Sequence, residues 1–288
     1  MFNGAFTALV TPFANGKVDH DKLREMVDWQ IEQGINGLVP CGTTGESATL
    51  THDEHTDVLR TVLKQAGGRV PVIAGTGSNS TAEAIQLTKA AQDMGADAAL
   101  VITPYYNKPS QEGIFRHFEA IAKATQLPLV LYNVPSRTSV NMEAETVVRL
   151  GEYPNIVAIK EASGDLYQIA KIINTSKLTV LSGEDAQTIE MMELGAKGVI
   201  SVTANIAPGD MARLVALKSQ GNDDEAAALD KKLRPMHDAM FVETNPQPVK
   251  IALKLLGKLN GEMRLPMWGI SEDSDARLQK TLKDYGLL

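Results

Sequence analysis

The chain has 288 residues, of which 43% are hydrophobic and 22% charged, enough for one large domain with an appendage. A formal charge of −7 and a sequence pI near 5.3, with no long run of like charge, exclude a nucleic-acid footprint and point to small-molecule partners. The single cysteine, Cys41, excludes an intrachain disulfide framework; the absence of a secretory leader at Met1 to Phe6, or of a span of roughly 20 apolar residues, predicts a cytoplasmic protein with no membrane partner.

In chain order, Ala5 to Thr11 is an apolar run stopped by Pro12 and reads as a first strand, followed by a helix capped near Asp19 and ended by Gly34. Gly37 to Pro40 is a second strand emptying into Cys41 Gly42 Thr43 Thr44 Gly45 Glu46, after which Thr51 and Glu54 form a capping box. The unit recurs. Val70 to Gly75 is a strand, Ser80 with Glu83 caps a helix closing at Gly95, and Ala98 to Thr103 is a strand stopped by Pro104. Ser110 opens a helix to about Thr125, Leu129 to Tyr132 is the fifth strand, and Asn141 starts the helix leading to the sixth, which ends on Lys160. Asp165 caps the next helix, Leu178 to Leu181 precedes Ser182 and Gly183, and the helix from Asp185 stops at Gly195 before Val199 to Val202.

Eight strand–helix units fit an α/β fold, a (β/α)8 TIM barrel over residues 1–222, with a C-terminal helical appendage over 223–288 broken at Pro246, Pro248, Gly257 and Pro266. The rival is a doubly wound sheet with Gly75 Thr76 Gly77 as a dinucleotide fingerprint, but the third glycine is missing and the turn does not follow the first strand of its unit. A barrel gathers its chemistry at the C-terminal ends of its strands.

The sixth strand, Asn155 to Ala162, carries the strongest anomaly. A buried apolar run should not end on an ammonium, yet Lys160 stands there. An amine confined at the mouth of an apolar barrel can be left uncharged by desolvation and attack a carbonyl to form a Schiff base; the same lysine can equally be structural and paired with Glu161. The strand alone admits both. The other strand ends bring Thr43 and Thr44, Tyr105 and Tyr106, Tyr132, Gly183 and Ile200 to the same rim, so hydroxyls that can shuttle protons surround the amine.

The Gly42 Thr43 Thr44 Gly45 turn offers N–H groups and two hydroxyls to an anion but lacks the lysine of a nucleotide phosphate loop, which favours a carboxylate. Arg137, read as lying in the loop after the fifth strand, has the fork geometry to clamp a second carboxylate. Cys41 has no histidine at a strand end to serve as its base and reads as a buried thiol. His52 and His55 are spaced as metal ligands can be, without a third ligand, so neither a metal nor a cofactor is expected; His20, His117 and His237 carry no assignment.

Gly42 Thr43 Thr44 Gly45 Glu46, Tyr132 Asn133 Val134 Pro135 and Ile159 Lys160 Glu161 Ala162, in that order along the whole chain, resemble the pyruvate-dependent class I aldolases. Pro135 Ser136 Arg137 Thr138 and Thr103 Pro104 Tyr105 Tyr106 Asn107 resemble the dihydrodipicolinate synthase family within them rather than the sugar-acid lyases. The resemblance implies a Schiff base between pyruvate and Lys160, attack of its enamine on aspartate 4-semialdehyde, and a product feeding lysine and diaminopimelate synthesis. It makes Tyr132 the general acid/base, Thr43 and Tyr106 its relay, and Thr44 and Arg137 the holders of the two substrate carboxylates, with backbone carbonyls of Gly183 and Ile200 nearby. It also implies that Tyr106 crosses a subunit interface in a homotetramer built as a dimer of dimers.

A second set, Ser47, Ala48, His52, His55, Asn79, Glu83 and Tyr105, matches positions that bind feedback L-lysine in inhibited relatives; the alternative is that these residues only cap and pad two helices. Ser139 stands where many members of the family it resembles have glycine, and is strained if the position needs a positive φ. Two rivals remain, a sister aldolase acting on a sugar acid and a non-catalytic barrel that binds a small acid.

Overall fold

A computed structural model describes residues 2–288. Eight parallel strands form the barrel: β1 (Gly4–Ala8), β4 (Gly37–Val39), β5 (Ile73–Gly75), β6 (Ala98–Ile102), β7 (Leu129–Asn133), β8 (Ile156–Glu161), β9 (Thr179–Ser182) and β10 (Gly198–Ser201). They are hydrogen-bonded in the order β4-β1-β10-β9-β8-β7-β6-β5. A bridge between Leu38 and Val72, with Gly75 N donating to the Pro40 carbonyl at 2.9 Å, joins the two ends and closes the ring.

Strand alternation sorts the side chains into two layers. Phe6, Val39, Leu100, Val130, Ala158, Leu181 and Ile200 fill the barrel interior, while Ile159, Leu131, Val101 and Val199 face the helices. The ring of helices is α1 (His20–Glu32), α2 (His52–Ala66), α3 (Thr81–Asp93), α4 (Gln111–Ala124), α6 (Ala144–Leu150), α7 (Leu166–Thr175), α8 (Thr188–Leu194) and α9 (Pro208–Ser219). Asp19, Thr51, Ser80, Ser110 and Asp165 cap their helices as the sequence predicts, and Thr51 with Glu54 completes a capping box.

Three local expectations fail for physical reasons. The first strand stops at Ala8, and the stretch before α1 forms a hairpin, β2 (Phe13–Ala14) with β3 (Lys17–Val18), around Asn15 and Gly16, both at positive φ as a tight hairpin turn needs. Asn141 does not start a helix: α6 begins at Ala144, and Asn141 instead takes a hydrogen bond from Asn133 at 2.7 Å and gives one to Gln168 at 2.7 Å. Arg137 lies not in a loop but in a one-turn helix, α5 (Pro135–Thr138), entered through proline and closed by Ser139 at φ 58°.

The dinucleotide fingerprint also falls. A Cβ on Gly75 would lie 2.2 Å from the Cys41 carbonyl oxygen and one on Gly77 2.4 Å from Ile102 N, so these glycines admit neighbouring backbone rather than a pyrophosphate. Beyond α9 come α10 (Asp223–Ala239), α11 (Gln247–Leu255) and α12 (Glu272–Tyr285). Leu233, Met236, Val249 and Leu253 pack into the same apolar cluster as the outer face of the barrel. The segment between α10 and α11 passes over the barrel mouth. Among the described residues no helix is long and apolar enough to cross a membrane.

Candidate active site at the strand ends

Register fixes the centre of the site. Tyr132 on β7 pairs with Lys160 on β8, and Lys160 pairs with Leu181 on β9. Period-two alternation turns Lys160 inward with Ala158, and Glu161 outward. Lys160 is 6% exposed, and its Nζ lies 4.4 Å from the centroid of the Tyr132 ring. Among the described residues it forms no ion pair.

The reading that pairs Lys160 with Glu161 is therefore incorrect. Glu161 is buried on the opposite face, where it accepts hydrogen bonds from Asn133 Nδ2, Ser163 N and Gln168 Nε2. Burial pushes its carboxyl above the usual carboxylate range against the pull of those donors. Gly183 makes room for the amine: a Cβ there would sit 3.0 Å from Lys160 Cε and 2.7 Å from the Ala162 methyl.

Thr43, Thr44, Tyr132, Arg137, Lys160, Gly183 and Ile200 line one cavity of about 630 Å³. Tyr106 does not join them. It is 88% exposed, on the loop after β6 with φ 70°. The threonine turn is held by Glu46 N donating to the Thr43 carbonyl at 3.1 Å and by Thr11 Oγ1 donating to the Gly45 carbonyl at 2.7 Å. Cys41 is buried, with its thiol pushed up by desolvation, and takes no part in the cavity around Lys160.

Sequence reasoning missed two wall residues. Glu184 follows Gly183 and faces the cavity; burial pushes its carboxyl up, while Lys160 and Arg137 pull it down. Asn245, between α10 and α11, donates from Nδ2 to Thr44 Oγ1 at 3.0 Å, and its backbone carbonyl accepts from Arg137 Nη2 at 3.0 Å. The only sequence signal for Asn245 is the flanking Pro246, which breaks the helical pattern where the chain turns over the barrel mouth.

A second cavity, about 480 Å³, adjoins the first through Gly42, Thr43, Tyr132, Arg137 and Asn245. It is lined by Ser47, Ala48, His52, His55, Glu83 and Tyr105. Asn79 is not in its wall; its carbonyl accepts from Asn107 Nδ2 at 2.9 Å. The Glu83 carboxylate does not complete a helix cap. It bonds His52 Nε2 at 2.7 Å and the Ser78 hydroxyl, and these two partners hold it below the usual carboxylate range. Burial pulls the His55 imidazole below its ordinary range, and because its Nε2 contacts the Gly75 carbonyl at 2.7 Å that nitrogen carries a hydrogen.

A buried amine over a phenol ring, two threonine hydroxyls and an arginine at the mouth equip the first cavity for imine chemistry on a small carboxylated carbonyl compound. The chain is 54% identical, over the full length of both, to the 4-hydroxy-tetrahydrodipicolinate synthase of Geotalea uraniireducens. It superposes with a TM-score of 0.98 on the dihydrodipicolinate synthase of Acinetobacter baumannii complexed with pyruvate, at 48% identity and with both chains fully covered. The Cyanidioschyzon merolae enzyme with lysine bound matches with a TM-score of 0.97 at 42% identity, over 100% of this chain and 99% of the other. Residues 1–285 match the profile described as the Dihydrodipicolinate synthetase family, and the chain belongs to that family.

Proposed function

We propose that the chain condenses pyruvate with L-aspartate 4-semialdehyde to give 4-hydroxy-tetrahydrodipicolinate, in the synthesis of lysine and diaminopimelate. The observation that carries this reading is Lys160, buried at the barrel mouth without a carboxylate partner among the described residues, in one cavity with Tyr132, both threonines and Arg137. Lys160 Nζ attacks C2 of pyruvate, and the carbinolamine loses its oxygen as water to leave the imine. Tyr132 removes a proton from C3 to form the enamine, with Thr43 as relay. C3 then attacks the aldehyde carbon, and the amino group of the semialdehyde adds at C2, closing the ring and expelling Lys160.

Thr44 holds the pyruvate carboxylate and Arg137 that of the semialdehyde, with the Gly183 and Ile200 carbonyls beside the reacting atoms. Tyr106 completes the relay from a neighbouring copy of the chain; its 88% exposure in the single chain supports that role, within a homotetramer. L-Lysine is the ligand of the second cavity, its ammonium on Glu83. Arg137 favours this substrate over a sugar acid, which needs no second carboxylate clamp of that kind.

Borohydride reduction with pyruvate, followed by peptide mass spectrometry, tests the centre of the reading. A pyruvate-derived adduct on Lys160 is expected, and none, or one on another lysine, rejects it. Turnover of aspartate semialdehyde but not N-acetylneuraminate is expected in a coupled assay. Full activity at millimolar L-lysine would remove the regulatory assignment, and a fully active monomer the crossing of Tyr106.

A further inference from the structure

Asn245 touches both groups assigned to the substrate carboxylates, and it comes from a segment with no part in the strand ends. Its side chain meets Thr44 and its backbone carbonyl meets Arg137, contacts that span 201 and 108 residues of sequence. We propose that Asn245 is a positioning residue that sets the direction in which Thr44 donates its hydrogen and separately anchors Arg137. This inference rests on the carboxylate roles given above for Thr44 and Arg137.

A threonine hydroxyl has one hydrogen and two lone pairs. By accepting the amide hydrogen of Asn245, Thr44 keeps its own hydrogen for the cavity, and a carboxylate needs a donor there. An acceptor at position 245 would take that hydrogen for itself, and Thr44 would turn a lone pair toward the incoming carboxylate. Asn245 is 4% exposed, and its Oδ1 has no partner among the described residues, so the side chain's hydrogen bond to protein is the one to Thr44. The two arms are separable, because every side-chain variant at 245 retains the carbonyl that receives Arg137.

The test is a steady-state comparison of the full-length enzyme with Asn245→Asp, Asn245→Ala, Thr44→Val and the Asn245→Asp/Thr44→Val pair, with urea midpoints confirming that each folds. Asn245→Asp is expected to raise the pyruvate KM at least about tenfold, since a charge-assisted hydrogen bond is reversed. The semialdehyde KM should stay within about twofold. Asn245→Ala, which removes the donor without adding an acceptor, should raise the pyruvate KM by less, about threefold, and gives the answer should the aspartate variant fail to fold. In the Thr44→Val background Asn245→Asp should change the pyruvate KM by less than about twofold. The same multiplicative rise in both backgrounds would mean direct repulsion by the new carboxylate and would overturn the proposal, as would an unchanged pyruvate KM in Asn245→Asp. A wild-type pyruvate KM in Thr44→Val alone would instead refute Thr44 as the carboxylate holder, which separates the two failures.

Discussion

Breaking the ion pair between Glu46 and Lys250 should be among the most damaging single changes in this chain. Lys250 Nζ lies 2.5 Å from Glu46 Oε1, and both side chains are 1% exposed. The ammonium also donates to the Thr11 carbonyl at 2.8 Å and sits 4.3 Å from the centroid of the Phe13 ring, while Glu46 Oε2 accepts from Arg264 N at 3.2 Å. Burial pulls the Lys250 pKa down, and Glu46 alone supplies the main opposing pull. Lys250→Met leaves a buried carboxylate with one backbone donor, so it should cost about 3–5 kcal/mol. That is a large share of the roughly 5–15 kcal/mol that holds a typical protein folded.

Glu46→Gln should cost less, about 2 kcal/mol, because a lysine already destabilised as a cation can release its proton and remain bonded to the Thr11 carbonyl. The double variant should be more stable than Lys250→Met alone, with a coupling of at least about 1.5 kcal/mol, since neither residue is then left as an isolated charge. Urea unfolding at one fixed protomer concentration, with unchanged m, measures all four proteins. A Lys250→Met loss below about 1 kcal/mol, or strict additivity in the double variant, would refute the argument.

Ser139 occupies the left-handed region at φ 58°, so Ser139→Gly should stabilise the chain by up to about 1 kcal/mol, read as a higher urea midpoint. The Glu54 carboxyl is held down to about 2 by the Arg264 guanidinium, from an ordinary value of 4.5. Its contribution is therefore complete above about pH 4.5 and is lost as pH falls toward about 2, where the unfolded chain binds a proton that the folded chain does not. Urea midpoints at about pH 5 and pH 3 should fall further apart in the wild type than in Glu54→Gln, and equal gaps would count against the assignment. Gly183→Ala puts a methyl 3.0 Å from Lys160 Cε and should slow borohydride trapping of pyruvate at least about tenfold, with a smaller proportional effect on the urea midpoint.

The barrel was legible because each strand is buried on both faces and so appears as an apolar run cut off by glycine or proline, with capping residues marking the helices between. The same property exposed Lys160, whose charge contradicts its run, and the rim residues immediately after each strand. Asn141 was misread because asparagine caps helices well, and nothing local shows that its amide is claimed by Asn133 and Gln168. Nothing in the residues around Glu184 marks it for the cavity beside Lys160, where the fold places it. Asn245 had no local signal beyond the flanking Pro246, because its partners lie 108 and 201 residues away.

That last failure has a physical cause that bears on how the site works. The turn carrying Thr43 and Thr44 is flanked by two non-glycine residues in the left-handed region, Cys41 at φ 56° and Glu46 at φ 53°, each costing on the order of 1–2 kcal/mol. Contacts from outside the turn help to offset that strain. Asn245, Lys250 and the backbone of Arg264 reach it from the C-terminal segment, at Thr44 and at both oxygens of Glu46. The C-terminal segment thus buttresses the turn that carries Thr43 and Thr44 into the cavity wall, through one contact at Thr44 and two at Glu46.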